Sequence, residues 1–125
     1  MGLFGSPSKD TSFPWQRIES AEQWNAIYND DAAPLKVIFK HSTRCSISSF
    51  ALSNFERTFL ADDPAFRLYF LDLIQYREIS HQVAEDTQVL HQSPQVIVLN
   101  RQHVIYSASH QSIDGATIQQ LNTNI

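Results

Sequence analysis

The chain has 125 residues, 42% of them hydrophobic and 18% charged, with a formal charge of −4, which fits one domain able to bury about two-thirds of its unfolded surface. An acidic balance gives no net field to attract nucleic acid or an anionic membrane, and no apolar run approaches the roughly 20 residues of a membrane span. The N-terminus lacks the basic-then-apolar plan of a secretory signal, so the expectation is a cytoplasmic protein with neither nucleic acid nor membrane as partner.

Residues 1–13 hold Pro7, several serines and two of the three glycines, and read as a flexible N-terminal leader to a single domain over 14–125. Met1-Gly2-Leu3-Phe4-Gly5-Ser6 also matches the short pattern for N-myristoylation. Ser20 is placed to cap a helix carrying Trp24, Ile27 and Tyr28 on one face, ended by Asn29-Asp30-Asp31. Both Trp15 and Trp24 are expected to pack between that helix and the sheet. Pro34 and Leu35 open Val37-Ile38-Phe39, a continuous apolar run of the kind buried on both faces, hence a central strand.

From about Thr43 to Leu60, the residues Ile47, Ala51, Phe55 and Phe59 fall four apart and predict one helical stripe, stopped by Asp62-Asp63-Pro64. The run from Phe66 to Leu73 reads as a second strand, and Tyr76, Ile79 and Val83 as the face of another helix. After His91-Gln92-Ser93-Pro94, the segments Val96–Leu99 and Val104–Tyr106 are separated by a short polar turn, which predicts an antiparallel hairpin. A loop from Ser109 to Ile113 leads to a closing helix with Ile118 and Leu121, begun near Asp114 or Thr117. Alternating strands and helices imply right-handed crossovers and parallel neighbours.

The chain has one cysteine, Cys45, at the junction of the first strand and the helix that follows. It has no partner for an internal disulfide, in keeping with a reducing compartment. A thiol at a helix start is expected to ionise readily, because unpaired N–H groups give that end positive character, and Lys40, His41 and Arg44 are nearby cations. The five histidines show no helical ligand spacing, so no metal site is expected.

Two βα units with a reactive residue after the first, then a hairpin introduced by proline and a last helix, make the plan of the thioredoxin fold: α/β, with a central mixed sheet of about four strands flanked by helices. Cys45-Ser46-Ile47-Ser48 stands where that fold carries Cys-x-x-Cys, and Ser93-Pro94 stands where it carries a cis proline facing the cysteine. The segments Lys40 to Ser48, His91-Gln92-Ser93-Pro94-Gln95 and Ser109-His110 resemble the YtxJ-like family, the monothiol bacilliredoxins of the bacterial bacillithiol system. The likeness runs from about Trp15 to Leu121. One departure is Ser46, where the family pattern has proline; it bears on the thiol potential rather than on the chemistry.

The resemblance implies a thiol-disulfide exchange protein with Cys45 as the catalytic residue and Ser48, Arg44, Thr43, Lys40 and His41 in support. Its clients would be bacillithiolated proteins, with bacillithiol, a low-molecular-weight thiol, as co-substrate and no tightly bound cofactor. Ser48 replaces the resolving cysteine, and its hydroxyl can hydrogen-bond the Cys45 sulfur but cannot displace a bound thiol. Phe39 occupies the place of the carboxylate that assists a resolving thiol. Ser93 and Pro94 would align the client, Arg44 would meet a carboxylate of bacillithiol, and His91 or His110 would line its pocket. Two other readings stay open: a monothiol glutaredoxin-like iron-sulfur carrier, although the Gly and Phe of Cys-Gly-Phe-Ser are absent, and a non-catalytic thioredoxin-like interaction module.

Overall fold

The computed structural model describes residues 13–124. The expected leader and the myristoylation pattern lie outside the described residues apart from Phe13, which is buried in the core. In chain order the elements are β1 (Gln16–Arg17), α1 (Ala21–Asn29), β2 (Leu35–His41), α2 (Ser46–Thr58), β3 (Phe66–Asp72), α3 (Arg77–Thr87), β4 (Gln95–Asn100), β5 (His103–Ser109) and α4 (Gly115–Gln119). They form one five-stranded mixed sheet in the order β1-β3-β2-β4-β5. β3 runs parallel to β1 and β2, while β4 runs antiparallel to β2 and β5. The strand beyond the expected four is β1, two exposed residues paired with Tyr69 and Phe70, too short to show any periodicity.

β2 is central and buried along its whole length, as its continuous apolar run requires. Alternation along it divides the core into two layers. Leu35, Val37 and Phe39 face Phe55, Phe59, Ile113 and Ile118, the layer under α2 and α4. Ile38 faces Trp24, Ile27, Leu71, Ile79 and Val83, the layer under α1 and α3. The two tryptophans separate between these layers. Trp24 belongs to the buried face of α1 and donates to Asp86 at 2.8 Å, whereas Trp15 lies on the α2 side against Phe13, Phe39 and Phe55 and donates to Glu56 at 2.7 Å. Trp15 is thereby assigned to the opposite layer from the one expected, because β1 pairs at the sheet edge and its preceding residue turns toward α2.

Local chemistry fixes the element ends. Ser20 caps α1 by accepting the Gln23 N–H at 3.0 Å, and at the other end buried Lys36 donates to the carbonyls of Ile27, Tyr28 and Asp30 at 2.6, 3.2 and 2.8 Å. That ammonium satisfies acceptors which helix geometry leaves open and meets the negative end of the dipole. The hairpin reverses over Arg101 and Gln102, with Arg101 in the left-handed region at φ 57°. Asp114 caps α4 through the Thr117 N–H. The next residue, Gly115, lies so close to α2 that an added Cβ would stand 2.6 Å from Thr58 Oγ1 and 2.7 Å from the Phe55 carbonyl. No helix among the described residues is long and apolar enough to cross a membrane.

Candidate active site

The C-terminal end of β2 and the start of β4 meet at one edge of the sheet, because their antiparallel register sets Lys40 opposite Gln95. The chain leaves β2 through Ser42-Thr43-Arg44 and enters α2 with Cys45 as its N-cap, at φ −118° and ψ 121°. The Cys45 carbonyl accepts the first helical bond, from Ser49 at 3.1 Å, and its N–H donates to Ser42 at 3.2 Å. Its side chain makes no capping bond, so the sulfur stays free at the positive end of a 13-residue helix, on a residue of intermediate exposure. The other four residues of Thr43 to Ile47 are exposed.

Ser48, one turn into α2, is fully buried. Its hydroxyl accepts the Ser42 N–H at 3.0 Å and lies 2.7 Å from His41 Nδ1. No hydrogen bond joins it to the Cys45 sulfur. The reason is geometric: at this helix position the side chain points inward to the end of β2, where two polar groups already need a partner. His41 packs its ring at 5.4 Å from Phe70 and 6.5 Å from Phe39. Burial pushes its pKa down, with Asp72 opposing and Arg17 adding to the shift, so the ring favours its neutral form.

The structure separates the three expected cations. Arg44 is exposed beside the thiol and makes no ion pair among the described residues. His41 is held neutral under α2. Lys40 points into the opposite layer, fully buried, with no hydrogen-bond partner for its Nζ, and burial lowers its pKa from 10.5 to about 8. Strand alternation makes this separation unavoidable, since adjacent residues of β2 cannot face the same helix.

Across the sheet edge, the Ser93–Pro94 peptide is cis, Pro94 is buried, and its carbonyl accepts the His110 N–H at 3.1 Å. His110, at φ 55°, follows β5 and lines a cleft of about 140 Å³ with Ile47, Phe50, Ala51, Asn54, Gln111 and Ile113. Ile47 and Phe50 are 52% and 78% exposed. Ile47 heads the helical stripe of Ala51, Phe55 and Phe59; a stripe spaced by four rotates steadily around the helix, so its first member lies outside the buried face that the other three share. His91 is on the other side, with its Nδ1 3.5 Å from Ser80 Oγ, in a small cavity against α3. The two histidines therefore line different pockets. Sequence reasoning missed the cleft residues Phe50 and Asn54 and the α3 residues Arg77, Ser80 and His81; an apolar side chain one position off the helical stripe marks Phe50, and nothing local marks the others. A concavity of about 540 Å³ between α1 and the start of α3 does not include Cys45.

Solved structures share this fold. A protein assigned as an oxidoreductase with a thioredoxin fold is 25% identical, with a TM-score of 0.71 over 85% of this chain and 91% of its own. The thioredoxin of Malassezia sympodialis is 19% identical, with a TM-score of 0.65 over 90% of each chain. Fasciola hepatica thioredoxin, at 12% identity, has a TM-score of 0.66 over 87% of this chain and 97% of its own. These establish the thioredoxin fold. The model of the family "Monothiol bacilliredoxin BrxC" matches residues 16–118, so the chain belongs to the monothiol bacilliredoxin family and has a monothiol redox role.

Proposed function

We propose that the protein removes bacillithiol, or a similar low-molecular-weight thiol, from client proteins through Cys45. The Cys45 thiolate attacks the small-thiol sulfur of the mixed disulfide in line. A new S–S bond forms to Cys45, the old one breaks, and the client leaves as a thiolate, so no net oxidation occurs. A second low-molecular-weight thiolate then attacks the adduct and releases Cys45, carrying the small thiol away as its own disulfide. The chain contains no second cysteine to do this internally.

The observation that carries the reading is the placement of Cys45: a free sulfur on a partly exposed residue at the N-cap of α2, with the inward position of the same turn filled by a hydroxyl that is already bonded. Ser48 then acts as a strut between α2 and the end of β2. Arg44, unpaired beside the sulfur, supplies a contact for a carboxylate of the small thiol, and the chain around Ser93 and Pro94 lines up the client backbone. The test is to incubate a bacillithiolated client with the protein and follow both partners by intact mass spectrometry. Transfer of the bacillithiol mass from client to Cys45, absent in Cys45→Ala, is expected. A client that keeps its adduct while Cys45 stays unmodified would overturn the reading.

A further inference from the structure

We propose that the cavity walled by Leu73, Arg77, Ser80, His81 and His91 is an anion subsite for a carboxylate or phosphate-like group, with Lys40 as the buried charge beneath it. The site has about 40 Å³ of space, room for the charged head of a ligand, and its rim residues Arg77, His81 and His91 are exposed, so it is reached from solvent. No carboxylate lines it. That is notable in a chain with 13 acidic and 9 Lys or Arg residues.

Two independent features converge here. The first is the start of α3, an 11-residue helix whose positive end lies at Arg77, followed one turn later by the buried Ser80. The second is Lys40. It shares its face of β2 with Ile38, next to Leu71 of the α3 layer, and its Nζ is enclosed without any acceptor. A buried ammonium left alone is costly, and a bound anion is the partner it lacks. Its charge reaches the cavity wall: the pKa of His91 is lowered by burial first, then by Lys40 and His81. Arg77 makes no ion pair among the described residues, and the nearby Asp72 is occupied with the N–H groups of Ile74 and Gln75. Arg77, Ser80, His81 and His91 thus face one space, with the buried Lys40 charge in the layer behind it.

Two sources carry the required chemistry: a free oxyanion, or a carboxylate on the small thiol held by Cys45. The first is independent of the exchange reading, and the second rests on it. Titration of the intact protein with inorganic phosphate and with malate, followed by calorimetry and the His91 imidazole NMR signal, should show saturable binding and a rise in the His91 pKa. Arg77→Gln should weaken binding about tenfold or more, the effect of losing one charge-assisted contact, and Lys40→Met should weaken it by a smaller factor, because the enclosed ammonium acts through its field and not by contact, while Arg101→Gln leaves it unchanged. Mixed disulfides of Cys45 then separate the sources. If the carboxylate comes on the thiol, a mercaptosuccinate adduct blocks phosphate and a 2-mercaptoethanol adduct does not; if the anion is free, both adducts bind phosphate alike. Absence of saturable binding, or binding that survives undiminished in both variants, overturns the proposal, whatever Cys45 does in the exchange assay.

Discussion

Lys40 and His41 are consecutive residues of one strand, both buried and both basic, yet the structure treats them in opposite ways. His41 turns under α2 and finds a neutral partner in Ser48, in a layer that carries the thiol and opens onto an apolar cleft. Lys40 turns under α3 and finds none, in the layer of a cavity whose polar walls are Arg77, Ser80 and two histidines. One side of the sheet edge is therefore finished, with its polar groups matched internally. The other is left with an unmatched ammonium and an open cavity. A site that handles a disulfide between a protein and a small charged molecule has use for both: an apolar, fixed surface where sulfur chemistry occurs, and an unmatched charge for the non-reacting end of the ligand.

The largest expected effect is at Cys45 itself, where Cys45→Ala should abolish adduct formation on the protein while leaving the fold intact, as read by mass spectrometry and circular dichroism. Next is Lys40→Met, which tests whether the α3 layer truly holds an unpaired cation. Burial has moved the Lys40 pKa from 10.5 to about 8, so between those values the unfolded chain binds a proton that the native chain has shed. Stability of the parent then rises with pH across that window, by up to about 1.4 kcal/mol per unit, and the full penalty is present below pH 8. Without the amine, Lys40→Met should be more stable than the parent at pH 7 by about 1–4 kcal/mol, and this advantage should shrink toward pH 10.5. Urea unfolding at a series of pH values measures it. A variant matching the parent at pH 7, with the same slope, would mean that Lys40 already has a counter-charge.

Much of this arrangement was legible in the sequence. The apolar run at Val37-Ile38-Phe39 identified the central strand because burial on both faces leaves no polar position, and Ser20 announced α1 because a cap needs that side chain at that place. Cys45 and Ser93-Pro94 were readable as a pair from their places at strand ends. The failures have a common cause. Whether Ser48 bonds the sulfur or the strand below, whether Lys40 reaches the thiol, and which layer Trp15 joins are all decided by the direction of a side chain relative to a partner distant in the chain. Periodicity reports the direction within one element only. β1 escaped notice for the same reason, since two exposed residues become a strand only through Tyr69 and Phe70.

Ser48→Ala probes the other side of the comparison. It strips partners from the Ser42 N–H and His41 Nδ1, both enclosed, and should destabilise the protein by about 1–3 kcal/mol. Because the His41 pKa is lowered in the folded state, the unfolded chain takes up a proton first as pH falls below the ordinary value of 6.5, and parent stability should decline through that window. If Ser48 bonded the sulfur instead, Ser48→Ala would change Cys45 reactivity with little loss of stability.

The smallest effect should come from the cleft beside α2. Ile47 and Phe50 are exposed, so the double variant Ile47→Ser, Phe50→Ser should unfold within about 0.5 kcal/mol of the parent. Its exchange with a small disulfide should be unchanged, because that reaction needs only the sulfur and the helix end, while exchange with a bacillithiolated protein should slow, because a client presents apolar surface around its cysteine and loses the match. Comparing the two substrates on one variant isolates docking from chemistry. Equal rates on both would confine the function of this face to holding Cys45 in place.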